Sequence, residues 1–128
     1  MREQTTADTN TETLAFDFAQ ARMTTRGAAK MAIAKLTVEV AIAHAQSIKD
    51  RRQVVRSLKD KLRHGFNVSV AELDDASLWN RATLGVVAIS GSSDYLTGQM
   101  REVDDALARM CNGLGAEIVD SWVEMLGE

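Results

Sequence analysis

Apolar and polar residues alternate with period two from Ala34 to Ile42. Ala34, Leu36, Val38, Val40 and Ile42 fall between Lys35, Thr37, Glu39 and Ala41. Successive side chains of a strand point to opposite faces, so the pattern predicts a first strand that starts near Met31. After a turn at Ala43-His44-Ala45-Gln46 the period changes. Ile48, Val54, Val55, Leu58 and Leu62 recur at helical spacing. Ser47-Ile48-Lys49-Asp50 has the spacing of a capping box, with Asp in place of the usual Glu. Gly65 suits the C-terminal cap, so the first helix is predicted at about 48–64. Phe66, Val68 and Val70 alternate with Asn67, Ser69 and Ala71 as a second strand, and Asp74-Asp75-Ala76-Ser77 is turn chemistry. Trp79 to Ser90 reads as a third strand. Gly91-Ser92-Ser93-Asp94 supplies a break and a helix N-cap. Leu96, Met100, Val103, Leu107 and Met110 then mark a second amphipathic helix, stopped by Gly113 and Gly115. Ile118 to Leu126 forms a fourth strand.

The order β-α-β-β-α-β needs a right-handed crossover in each β-α-β passage. A ferredoxin-like α+β sandwich satisfies this, with two helices on one face of a four-stranded antiparallel sheet and strands one and three in the centre. Leu36, Val38, Val70, Leu84, Val86, Val119 and Val123 are then expected to face the helices. Thr37, Glu39, Asn67, Ser69, Arg81, Thr83, Val87, Ile89, Ile118 and Trp122 are expected on the open face, with Trp79 as a further candidate.

Composition adds limits. The chain has 128 residues, 45% hydrophobic and 26% charged, which is ordinary globular composition and one domain's worth of chain. No apolar run reaches the length of a transmembrane helix, and the Thr-rich N-terminus lacks the apolar core of a secretory signal. The single cysteine, Cys111, forms no internal disulfide, so a cytoplasmic protein is expected. Residues 1–30 hold few bulky apolar groups and read as a flexible N-terminal extension to a folded domain at 31–128.

Charge is unevenly spread. The net charge is −3, yet residues 47–65 carry Lys49, Arg51, Arg52, Arg56, Lys59, Lys61 and Arg63 against Asp50 and Asp60. Residues 66–128 hold three basic and eleven acidic groups. Such asymmetry steers an anionic partner even when the total charge is negative.

Four segments carry a family resemblance: Leu36-Thr37-Val38-Glu39, the run from Ser47 to Leu58, Phe66-Asn67-Val68-Ser69-Val70-Ala71-Glu72, and Leu78-Trp79-Asn80-Arg81-Ala82-Thr83-Leu84-Gly85-Val86. In this order they resemble the YlxP-like family of small bacterial proteins, which carry a domain of unknown function. The similarity covers roughly residues 31–128; helix two and strand four match mainly in pattern. It implies a ferredoxin-like α/β plait and a start where Met31 lies. It also implies genes lying beside those of a translation initiation factor and a ribosome-binding factor, hence a ribosome or RNA role. It supplies no catalytic residues.

The basic helix is the first candidate site. With Ile48, Val55, Leu58 and Leu62 against the sheet, Lys49, Arg52, Arg56, Lys59 and Arg63 repeat at three- to four-residue spacing as an outward stripe. Arg51 and Lys61 widen the stripe and His64 extends it. Such a stripe neutralises phosphates, and ribosomes or structured RNA are the expected partners.

The open sheet face is the second candidate. Its central strands offer Thr37, Glu39, Arg81 and Thr83 in place of the aromatics of an RNA-recognition motif, and Glu39 and Arg81 are expected to pair. Val87, Ile89, Ile118 and Trp122 are expected to form an apolar patch for sheet-to-sheet homodimerisation. The turn at Ala43–Ser47 lacks the glycines of a phosphate-cradling loop, although His44 and Lys49 flank a helix N-terminus there. His44 and His64 are too few and too separated for a metal site, and no G-x-S-x-G, P-loop or H-E-x-x-H spacing occurs. The expectation is therefore a non-catalytic protein that binds ribosomes or structured RNA, the alternative being a protein–protein module that homodimerises through its sheet with no nucleic-acid role. No catalytic residue, metal, cofactor or membrane partner is expected, and no small-molecule substrate is identified.

Overall fold

The computed structural model describes residues 30–74 and 78–127. The expected N-terminal extension lies outside them, apart from Lys30. The elements follow in the order β1 (Ala32–Ala41), α1 (Ile48–Gly65), β2 (Ser69–Glu72), β3 (Arg81–Ser90), α2 (Ser93–Gly113) and β4 (Glu117–Gly127). All strand pairs are antiparallel, in the sheet order β2-β3-β1-β4. This is the ferredoxin-like α+β architecture, with β1 and β3 central. The first helix packs over β2 and β3, and the second covers β1, β4 and part of β3.

Period two places Ala32, Ala34, Leu36, Val38 and Val40 of β1 in the core, in register with Ala82, Leu84, Val86 and Ala88 of β3. Val54, Val55, Leu58 and Leu62 of α1 close one half of this layer. Leu96, Met100, Val103 and Leu107 of α2 close the other. Both helices start as the side-chain chemistry predicts. The Ser47 hydroxyl accepts from the Asp50 N–H at 3.2 Å, and the Asp50 carboxylate accepts from the Gln46 N–H at 3.0 Å. The Ser92 hydroxyl accepts from the Tyr95 N–H at 3.1 Å. Ser47→Ala strips the α1 cap, so a loss of about 1 kcal/mol and a thermal midpoint lower by about 5 °C are expected in a circular-dichroism melt.

Three boundaries differ from the pattern. The second strand begins at Ser69 because the Phe66 N–H is spent on the Leu62 carbonyl, and Phe66 and Val68 fold down onto the core. The third begins at Arg81 because Trp79 and Asn80 form the preceding turn, where the Asn80 carbonyl accepts from the Ile42 N–H. The largest departure is in β4. The β1–β4 register shifts between Glu39 and Val40: Glu39 faces Asp120, and Val40 faces Ile118. Val119 is the extra residue of a β-bulge, and a bulge reverses the inside-out phase of everything beyond it. Ile118 therefore lies on the helix side and packs against the core, not on the open face as expected. Val119 is exposed.

Among the described residues, no helix is long and apolar enough to cross a membrane.

Candidate functional site: a cationic groove on the first helix

The stripe on α1 divides into a buried member and an exposed set. Arg51 is 3% exposed and belongs to the fold, a departure from its expected outward place. Its Nε donates to the Arg81 carbonyl at 2.8 Å, one terminal nitrogen pairs with Glu72, and the other donates to Asp74 Oδ1 at 2.6 Å. The second oxygen of Asp74 accepts from the Thr83 N–H at 3.1 Å. Burial disfavours the guanidinium charge, but hydrogen bonds and charge from Glu72 and Asp74 more than offset this and raise its pKa. This clasp ties the start of α1 to the end of β2 and the start of β3.

Arg51 is shared by two carboxylates, so the clasp keeps one net negative charge, but it turns Glu72, one of the two acids beside the remaining cations, toward Arg51. Arg52, Arg56, Lys59 and Arg63 line one side of an open groove of about 470 Å³ between α1 and the edge strand β2, with Asp60 and Glu72 in its wall. The four positions are four, three and four residues apart, so the cations form a row about 16 Å long at 1.5 Å rise per residue. Arg52, Arg56 and Arg63 are exposed and Lys59 is half-buried. A terminal guanidinium nitrogen of Arg63 also donates to the Val70 carbonyl of β2 at 3.1 Å, which fixes its head group against the edge strand. Lys49 and Lys61 are exposed on the same helix, outside the groove lining. His64 is exposed and turns Nδ1 to the Asp60 carbonyl at 2.8 Å.

The other candidates resolve differently. At the α1 N-terminus the Asp50 N–H is held by Ser47 and the Asp50 carboxylate sits over the first turn, so the helix supplies its own anion there. His44 leans toward Gly115 instead. Cys111 is buried and its thiol is pushed up by burial, the environment of a packing residue and not of a nucleophile. Among the described residues, no three His, Cys, Asp or Glu side chains group as metal ligands.

On the open face the expected Glu39–Arg81 pair is not formed. Glu39 faces Thr83 and Arg81 faces Ala41, while an ion pair on this face joins Lys35 to Glu124 at 3.2 Å. The expected patch of Val87, Ile89, Ile118 and Trp122 is also rearranged. Ile118 has left it through the bulge. Val87 and Ile89 stand on β3, with β1 between them and Trp122 on β4. Ile33, missed in the sequence, joins Ile89 and Leu126 in one apolar row across three strands. Its signal was present, since it shares its phase with Lys35 and Thr37.

Fold and site define a small ferredoxin-like α+β domain that presents a row of cations with no ion-pair partner among the described residues, beside an edge strand. The chain belongs to the family described as protein of unknown function (DUF503), whose family model matches residues 33–121. It is similar to the uncharacterized protein YlxP of Bacillus subtilis (strain 168), with 33% identity over 65 residues, 51% of this chain and 71% of that protein. The family resemblance in the sequence is thereby borne out. Among solved structures, a C-terminal segment of the alpha subunit of aIF2 from Pyrococcus abyssi aligns at a TM-score of 0.45 and 10% identity, covering 77% of this chain and 51% of that one. A hydantoinase/carbamoylase family amidase from Burkholderia ambifaria aligns at 0.47 and 15%, covering 78% and 29%. The chain thus spans about half or less of these proteins.

Proposed function

We propose that this protein is a non-catalytic RNA-binding domain that holds the phosphate backbone of structured RNA, such as that of the ribosome, in the α1 groove. One observation supports this most. Arg52, Arg56, Lys59 and Arg63 share a groove with only Asp60 and Glu72 in its lining, and Glu72 is held to Arg51, so cations outnumber acids there in an otherwise acidic protein. Arg guanidinium groups match phosphate oxygens bidentately, and three of the four are Arg. The open face carries Glu39, Asp120 and Glu124 against Lys35 and Arg81, and Lys35 is paired with Glu124, which leaves that face net negative and favours the helix side for a phosphate partner.

Salt dependence tests the reading. Four phosphate contacts on single-stranded segments release counterions with a slope near −3 in log affinity against log salt, which is about a 60-fold loss between 50 and 200 mM. Co-sedimentation with ribosomes, and filter binding to purified ribosomal RNA, should both show this slope. A flat salt response, or no binding at 50 mM, refutes it.

A further inference from the structure

The two edges of the sheet are treated differently. The β2 edge has four residues, lies under α1, and has its Val70 carbonyl taken by Arg63. The β4 edge has eleven residues and carries exposed apolar groups on both sides: Val123 and Met125 toward the helices, Trp122 and Leu126 on the open face. Proteins blunt long apolar edges unless a strand is meant to join them. The bulge at Val119 blunts only the first end, and the run from Asp120 to Leu126 is regular.

The phase of the ladder says which backbone groups have no strand partner among the described residues. Ile42 N–H donates to the Asn80 carbonyl, so the even-numbered residues of β1 turn their backbone groups to β3. The odd-numbered ones, from Ile33 to Glu39, turn theirs to Leu126, Glu124, Trp122 and Asp120. On β4 the groups of Ser121, Val123 and Met125 therefore point outward. The same phase on β2 turns the Val70 carbonyl outward, where Arg63 meets it.

We propose that a second copy of this chain pairs along β4, antiparallel about a two-fold axis at Val123, to form a continuous eight-stranded sheet. This goes beyond RNA binding and does not depend on it. Every axis centred on a residue of this run keeps side chains on matching faces, so charge and length choose among them. An axis at Glu124 sets that carboxylate against itself, and one at Met125 pairs only the end of the strand. An axis at Trp122 sets Asp120 opposite Glu124 of the second copy, like charges that repel. An axis at Ser121 draws the bulge into the pairing. The axis at Val123 pairs Val123 with itself and Ser121 with Met125, uses all three outward residues in six hydrogen bonds, and sets Trp122 beside Glu124 and Asp120 beside Leu126. Like charges never face each other, and Val123, Met125 and Trp122 lose exposure on both copies. Stacking the open faces instead would bury the Lys35–Glu124 pair with Glu39 and Asp120, an unfavourable desolvation. The α1 grooves lie on the far edges and stay free.

Sedimentation equilibrium of the full chain up to about 100 µM, where interfaces below standard size still associate, should show a dimer. Val123→Pro removes an outward N–H that β1 does not use, so the fold survives by circular dichroism and the dimer is lost. In a Cys111→Ser background, Val123→Cys should be joined by a short bismaleimide, because the two α-carbons lie about 5.5 Å apart. Ile89→Cys should not be, because five strand spacings alone put the two copies more than about 24 Å apart. A chain monomeric throughout overturns the proposal. So does a dimer that is linked through Ile89→Cys and not Val123→Cys, or one that a folded Val123→Pro leaves intact.

Discussion

Reversing Arg52, Arg56 and Lys59 to Glu is expected to abolish RNA binding while the domain stays folded. Each site lies on the outward side of α1, and none makes an ion pair within the described structure. Exposed helix positions away from such features shift stability by about ±0.5 kcal/mol each, so the melt should barely move. Binding changes far more. Three attractive contacts become three repulsive ones beside Asp60 and Glu72, and the remaining Arg63 is itself held to Val70. With three of four counterion-releasing contacts gone, affinity at low salt should fall more than about 100-fold and its salt slope should approach −1 or less. Retained co-sedimentation in this triple variant would place the RNA contact elsewhere or remove it.

Arg51→Ala should be the most damaging single change among the cations, and its effect should fall on stability. Removing one partner of a buried ion pair typically costs about 3–5 kcal/mol, because the other charge is left without compensation. Glu72 and Asp74 still reach water at 27% and 30% side-chain exposure. That relief brings the expected loss to about 2–4 kcal/mol, or about 10–20 °C in the thermal midpoint of a domain of this size. Arg51→Met keeps the stem and deletes the charge. Combined with Glu72→Gln and Asp74→Asn, it should lose less than alone, because no charge is then stranded. Differential scanning calorimetry distinguishes the set. A midpoint shift below about 3 °C for Arg51→Ala would show that the clasp contributes little.

The different fates of Arg51 and Arg52 show where the sequence stops being legible. Both are cations on one helix, one residue apart. Yet Arg51 falls three residues after Ile48 and four before Val55, on the same helical face as Leu58 and Leu62. That phase was readable, and it means a cation at the core boundary. What it could not reveal is the partner. Glu72 and Asp74 lie 21 and 23 residues away, and only the packing of α1 over β2 brings them to the guanidinium. The groove depended on the same event. A stripe is visible in spacing, but a groove needs the second wall, and Glu72 would offset one of its cations had Arg51 not claimed it.

The order of elements, the phase of the core and the caps at Ser47 and Ser92 are determined by the sequence alone. Each rests on interactions within a few residues, where period and side-chain chemistry leave one solution. The bulge at Val119, the removal of Ile118 from the open face, and, among the described residues, the contrast between a guarded β2 edge and an open β4 edge were decided by tertiary structure. Register between strands is set where two distant segments meet. A single extra residue there reverses which side chains face the core, and nothing in β4 read alone marks the residue at which that happens.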